Sequence, residues 1–205
     1  MPGRGVLLLL PWAAGTEALA DELAEAHWSF MDGYAAAMIA RGPTLTPDRT
    51  TWTGSMHMVE LPDAQAARVF AFQEPFYRAG VYGEVLVRRW RNLLSRTMWD
   101  YPFEPGDDRR FLVIGHGQPG VEAARQAVEV AQRRWFDQPG RRDGVILHGP
   151  LLADDGAGWM GSALLVQLGD RAAVEAMWAG APYVQAGLYG SVEIHDWQFG
   201  GRHQG

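Results

Sequence analysis

The chain contains no cysteine and no lysine. Without cysteine there is no disulfide, no thiolate nucleophile and no cysteine-ligated zinc or iron–sulfur centre. Without lysine there is no Schiff-base chemistry and no phosphate-loop lysine. All 18 basic residues are arginine, so any cationic contact to a ligand falls to a guanidinium. Set against 24 acidic residues they leave a formal net charge of −6. No basic cluster exceeds a pair such as Arg88 and Arg89 or Arg109 and Arg110, which argues against nucleic acid as a partner. Long apolar runs are missing as well. The first, VLLLL at 6–10, lies between Arg4 and the Pro11-Trp12 pair and is too short for a bilayer span or a signal-peptide core. It reads as a buried first strand. A cytoplasmic protein with no membrane association is the expectation.

What the sequence has in plenty is internal repetition. The segment RGPTL at 41–45 matches HGPLL at 148–152, WTGS at 52–55 matches WMGS at 159–162, and PFYRAGVYG at 75–83 matches PYVQAGLYG at 182–190. All three pairs share an offset of 107, and about 18 of roughly 51 positions from Arg41 to Arg91 are identical in that register. The same offset extends without a gap from Val6 with Val113 to Trp90 with Trp197. The chain is therefore a tandem duplication. Its expected divisions are a first module over 1–95, a linker over 96–110 and a second module over 111–205.

Each copy reads as strand, helix, strand, strand, helix, strand. In the first, a strand at 6–10 precedes a helix over 16–32 whose Leu19, Leu23, Phe30 and Tyr34 recur at helical spacing. Strands follow at 38–43 and 54–61, then a helix capped by Asp63 and running to Gln73, then a strand at 82–90. The second copy repeats this from Phe111, with strands at 145–150, 161–168 and 189–197 and a helix over 170–179. Pro102, Pro105 and Gly106 mark a linker, and Trp99, Tyr101 and Phe103 suggest that it packs on a surface. Such a βαββαβ module places both helices on one face of an antiparallel sheet and leaves the other face apolar. Pairing two modules covers both. The expected fold is α+β: two tandem ferredoxin-like modules with antiparallel sheets packed face to face as an intrachain pseudo-dimeric α+β barrel.

His27 on the first helix, Gly42-Pro43 after the second strand, Gly54-Ser55 opening the third, and an acid-Pro-aromatic stretch from Glu74 to Gly80 occur in an order that resembles the YCII-related family. The resemblance covers nearly all of the first copy and, with losses, the second. It implies a dimeric α+β barrel, related in fold to muconolactone isomerases and cofactor-free monooxygenases. It also implies small enzymes that use a histidine paired with an acid. Here the pair is His27 with Glu74, the glutamate standing where the family more often has Asp.

The duplication supplies its own comparison. Residues kept in both copies are best explained by folding: Gly42 with Gly149 and Gly80 with Gly187 as turns or close approaches, Asp63 with Asp170 as helix caps, and Trp52, Trp90, Trp159 and Trp197 as packing. Ser55, kept as Ser162, reads as a structural hydroxyl rather than a nucleophile. Polar residues found in one copy only are the functional candidates. At the offset of 107, His27 becomes Arg134, His57 becomes Leu164, Glu74 becomes Ala181 and Arg78 becomes Gln185. His27 shares a helix face with Leu23 and Phe30, and a core histidine is the alternative to a catalytic one. Glu74 closes the second helix, where a surface acid is the alternative.

The catalytic candidates are accordingly His27 and Glu74. Arg41, Arg78, Ser55 and His57 are the substrate-contact candidates. His27, His57 and Glu74 could together make a two-histidine, one-carboxylate metal site, and a haem in the barrel is a further alternative; the expectation is no metal and no cofactor. His116, His148 and His195 lack a matching acid-Pro, which marks the second copy as the degenerate one, its site filled or blocked near Arg134 and its first helix shortened by Pro139. His203 falls in a Gly-rich tail expected to lack order. Two functions remain open: an enzyme moving protons on a small enolisable or aromatic acid by elimination, isomerisation or decarboxylation, and a non-catalytic ligand-binding or accessory protein. In either case the partner is a small molecule, and the chain is a monomer by intrachain pairing or a higher homo-oligomer.

Overall fold

A computed structural model describes residues 5–102 and 109–201. His203, Phe103, Pro105 and Gly106 lie outside the described residues. The first module comprises β1 (Gly5–Pro11), α1 (Glu17–Asp32), β2 (Met38–Leu45), β3 (Trp52–Glu60), α2 (Ala64–Gln73), α3 (Pro75–Arg78) and β4 (Leu86–Trp90). The second comprises β5 (Arg109–Gly117), α4 (Glu122–Phe136), α5 (Pro139–Arg142), β6 (Val145–Leu152), β7 (Trp159–Leu168), α6 (Arg171–Ala179), α7 (Pro182–Gln185) and β8 (Tyr189–Trp197).

The strands close into one antiparallel barrel in the order β1-β3-β2-β8-β5-β7-β6-β4. Within each module the order is that of a ferredoxin-like sheet. Between modules β2 joins β8 through Thr44 with Trp197 and Leu45 with Asp196, and β4 joins β6 through Arg89 with Leu152 and Trp90 with Leu151. The apolar inner faces meet in the lumen as expected, and edge pairing in addition leaves no open strand there.

Alternation assigns the faces. On β1, Leu7 and Leu9 join the central cluster, while Val6, Leu8 and Leu10 face the helices. On β5, Leu112 and Ile114 face inward, and Phe111 and Val113 face α6. Met56, Met58, Trp90 and Trp197 complete the lumen, all fully buried. It is filled by side chains, so the haem considered from the sequence is not accommodated there. The linker contributes to this packing rather than lying on a surface: Met98 and Tyr101 are buried in the central cluster, whereas Trp99 is largely exposed. Asp63 and Asp170 cap α2 and α6, accepting from Ala66 N and Ala173 N at 2.8 Å each. Among the described residues no helix is long and apolar enough to cross a membrane.

The strand register revises the alignment of the two copies. Leu7 faces Met58 and Arg88, and Leu112 faces Leu165 and His195. The partners are 107 apart, but Leu7 and Leu112 are 105 apart. The helices agree, since α1 starts at Glu17 and α4 at Glu122. The offset is thus 105 over the first strand and helix and 107 from β2 onward, the two extra residues lying between α4 and β6. The structural counterpart of His27 is therefore Gln132. Arg134, assigned to that place from the ungapped offset, is exposed. Pro139 does not shorten α4, which has 15 residues against 16 in α1; it opens α5 instead.

Candidate active site

Two helix faces and one strand face converge in the first module. On α1, Ala20, His27 and Met31 are its buried residues. On the outer face of β3, Ser55 and His57 are buried beneath them. Between α2 and α3 the chain turns at Glu74, whose φ of −63° and ψ of 135° suit the residue before a proline. Pro75 lacks an N–H and starts α3 with its φ already helical. Glu74 becomes the N-cap of α3, its Oε2 accepting from Tyr77 N at 3.0 Å. Glu74 is therefore 1% exposed, not the surface acid that the end of a helix offers as the alternative. Its Oε1 lies 2.6 Å from His27 Nδ1.

With one carboxylate oxygen on a backbone N–H and the other on Nδ1, an ionised Glu74 requires Nδ1 to donate. That leaves Nε2 as the free nitrogen of His27. The ring stacks on Phe76 with centroids 4.3 Å apart and planes at 13°, which fixes its plane as well as its tautomer.

In front of His27 lies a cavity of about 540 Å³, bounded by Trp12, Trp28 and Trp52 and by Arg41, Ser55 and His57. His57 is 2% exposed, and neither ring nitrogen has a hydrogen-bond partner among the described residues. Burial, then the nearby charges of His27 and Arg41, hold its pKa well below 6.5, so this imidazole is neutral. Its centroid is 5.9 Å from that of His27. Arg41 reaches the cavity with a buried, unpartnered Nε and touches Asp32 Oδ1 only at 3.5 Å. The cavity therefore presents a buttressed imidazole, a neutral imidazole with open valences and a guanidinium edge against aromatic walls.

Of the residues expected from the sequence, His27, Arg41, Ser55 and His57 line this cavity, with Glu74 directly behind His27. Arg78 does not: it is exposed on α3 and absent from the cavity wall. No group of three or more histidine, aspartate or glutamate side chains among the described residues is arranged to hold a metal, so His27, His57 and Glu74 are not a metal triad. The tryptophans divide. Trp90 and Trp197 are core, whereas Trp52 is 44% exposed at the cavity mouth. His116 and His195 are also away from the cavity, sharing Glu193 at 2.5 and 2.9 Å on the lumen-facing side of β5 and β8.

The roof has no counterpart among the sequence expectations. Gln198, Phe199, Gly200 and Gly201, which follow β8 of the other module, close the cavity. Gln198 N donates to Pro43 O at 3.3 Å and Gly200 N to Arg41 O at 3.0 Å, extending the sheet past its edge. Gly42 is where this requires glycine, because a Cβ there would overlap the Gln198 carbonyl. The signal in the sequence is the Gly-Pro kept in both copies.

In the second module the dyad is gone. Gln132 sits at the His27 place and accepts from Tyr183 N at 3.0 Å, and Ala181 sits at the Glu74 place. The cavity there is smaller, about 250 Å³, but it is neither filled nor blocked, and Arg134 is not part of it.

Comparison with known proteins agrees with this architecture. The fold is similar to that of a mutant chlorite dismutase from Candidatus Nitrospira defluvii in complex with cyanide, at 9% identity and a TM-score of 0.59, covering 95% of this chain and 90% of that one. A heme-binding protein from Thermus thermophilus is similar at 11% identity and a TM-score of 0.56, covering 96% and 92%. A 5-chloro-2-hydroxyhydroquinone dehydrochlorinase from Burkholderia phenoliruptrix, solved with 2,5-dihydroxybenzoquinone, matches at 21% identity and a TM-score of 0.41 over 44% of this chain and 95% of its own. At these identities the likeness concerns the fold. No curated protein sequence matches significantly. The model of the YCII-related domain matches twice, at residues 6–91 and 110–198, and the chain belongs to that family, as a tandem of two such domains.

Proposed function

We propose that the chain is a cofactor-independent enzyme that moves a proton on a small enolisable or aromatic acid through His27. The observation that carries this reading is the buried contact of 2.6 Å between His27 Nδ1 and Glu74 Oε1 behind a cavity. A histidine kept merely for packing would not need a buried carboxylate to set its tautomer. The carboxylate stabilises the imidazolium that forms when Nε2 accepts a proton, and the dyad then returns it.

In this reading Arg41 holds the anionic group of the substrate, since a guanidinium suits a carboxylate and no lysine competes. His57, neutral and unpartnered, and Ser55 offer hydrogen bonds to an oxygen on which negative charge develops. The tryptophan walls favour a flat substrate and exclude water. A carbon-bound proton passes to Nε2. It is then delivered to another carbon in an isomerisation, or retained while a leaving group departs in an elimination. In a decarboxylation the dyad supplies the proton that replaces carbon dioxide.

The test works with a panel of candidate substrates. Small enolisable and aromatic acids are incubated with the protein in D2O, and loss of C–H signal is followed by proton NMR. The expected result is exchange that falls by about a hundredfold or more in His27→Gln. A folded His27→Gln protein exchanging at the wild-type rate would show that His27 is only a core residue. Binding of an acid without any exchange would favour the non-catalytic ligand-binding role.

A further inference from the structure

The second cavity occupies the place in its module that the proposed active site occupies in the first. Its roof is built the same way: Arg91 N donates to Pro150 O and Leu93 N to His148 O, at 3.1 Å each. At the offset of 107 that holds for these strands, Arg91 corresponds to Gln198 and His148 to Arg41. Along these ladders Gln198 lies opposite Pro43 and Gly200 opposite Arg41, as Arg91 lies opposite Pro150 and Leu93 opposite His148, so the two places sit two residues apart across the β2 and β6 edges. In the first cavity the arginine stands on β2 and the glutamine on the roof. In the second the arginine stands on the roof and a histidine on β6. The guanidinium has changed strands, but each cavity has kept one at that end.

The rest of the lining agrees. Burial pushes the His148 pKa down to about 4, so the imidazole is neutral near pH 7, and its ring stacks on Phe136 with centroids 4.1 Å apart and planes at 15°. The acid in the wall, Glu129, is already bridged by Arg125 at 3.4 Å and Arg133 at 2.6 Å. Trp159 Nε1 is buried in the same wall with no partner among the described residues. A flat aromatic surface, one unengaged indole N–H and a roof arginine form a site that binds. With Gln132 at the His27 place spent on Tyr183 N and Ala181 at the Glu74 place, it lacks the carboxylate-buttressed imidazole of the first site.

We infer that the second module holds a separate, non-catalytic site for a small aromatic carboxylate, with Arg91 in the role that Arg41 has in the first. Its 250 Å³ lies below the range of about 300 Å³ and upward typical of drug-sized ligands, so the ligand is of benzoate size. The inference borrows from the proposed function only the assignment of Arg41 to an anion, and it stands if the first site performs no chemistry.

The experiment is calorimetric titration of the full chain with benzoate, on the wild type and on Arg91→Gln, Arg41→Gln and Ala157→Trp. Ala157 is an exposed residue at the second cavity's wall, and a tryptophan there closes the mouth without touching the core. The wild type is expected to bind at two unequal sites. Arg91→Gln should weaken one of them by about tenfold to a hundredfold, the loss of one charge-assisted contact. Ala157→Trp should abolish that same site, and Arg41→Gln should affect only the other. Benzoate binding that is unchanged in both Arg91→Gln and Ala157→Trp, or no binding at all, overturns the inference. If the only site detected is the one sensitive to Arg91 and Ala157, the inference holds and the substrate class proposed for the first cavity fails.

Discussion

The register that pairs His27 with Gln132 can be tested by moving the dyad into the second module. Ala181 and Glu74 cap equivalent short helices with nearly the same backbone, φ −71° and ψ 134° against φ −63° and ψ 135°. Ala181 is 1% exposed, so Ala181→Glu alone buries a carboxylate without an imidazole. An uncompensated buried charge costs about 3–5 kcal/mol. At about 2–4 °C per kcal/mol for a chain of this size, Tm should fall by roughly 6–20 °C. Gln132→His alone leaves Tyr183 N without its acceptor, at a cost of about 1–3 kcal/mol. If Gln132 occupies the histidine place, the double variant should be more stable than the sum of the singles by about 1–3 kcal/mol, the coupling typical of residues in contact. Urea unfolding of the four proteins measures that difference. The parallel cycle with Arg134→His in place of Gln132→His should show none, because Arg134 is exposed. Coupling in the Arg134 cycle and none in the Gln132 cycle would refute the two-residue shift.

Other consequences can be checked with the same protein. Asp196 is buried and holds Arg49 of the first module and Arg171 of the second at 3.1 Å each, so Asp196→Asn should lower stability by about 1–3 kcal/mol; an unchanged urea midpoint would show that this clasp between modules contributes nothing. His148 and His57 both have folded pKa values below 6.5, so the unfolded chain binds more protons as pH falls, and the stability they leave intact above pH 6.5 is lost on acidification. For His148 the loss runs from pH 6.5 to about 4 and amounts to about 3 kcal/mol. His57→Leu, which copies Leu164 of the second module, should lessen the acid sensitivity while slowing proton exchange in the NMR assay by about a hundredfold; a protein equally acid-sensitive after the change would contradict this account. Gly42→Ala should push the roof away, at a cost of about 1–3 kcal/mol, and speed hydrogen exchange at Gly200 N. Gly80→Ala, strained by its φ of +78° but meeting no neighbour, should leave exchange at the roof unaltered.

The sequence makes some of this legible and hides the rest for physical reasons. From β2 onward, Gly-Pro, Trp and Ala-Gly anchors pin the repeat, and the strands, the Asp63 and Asp170 caps and the barrel follow. Over the first strand the anchors are absent. A slip of two residues keeps every apolar side chain on the same face of the sheet, so the alternation of VLLLL against FLVIG cannot detect it. On the helix the same slip exchanges Arg134 for Gln132, and a glutamine whose task is to accept one backbone N–H has no pattern of its own. The burial of Glu74 is hidden differently, because a residue that ends one helix looks exposed until Pro75 is seen to start another and make it a cap. The least legible feature is the roof. Its register against β2 and β6 joins segments more than 140 residues apart in one copy and more than 50 in the other, and no local signal links Arg91 to Pro150 or Gln198 to Pro43. Yet it is this contact that makes each cavity a joint product of both modules. The copy without the dyad has a part in the first cavity, since the segment after its last strand pairs with Arg41 and closes that cavity, and this obligation alone accounts for its fold being kept.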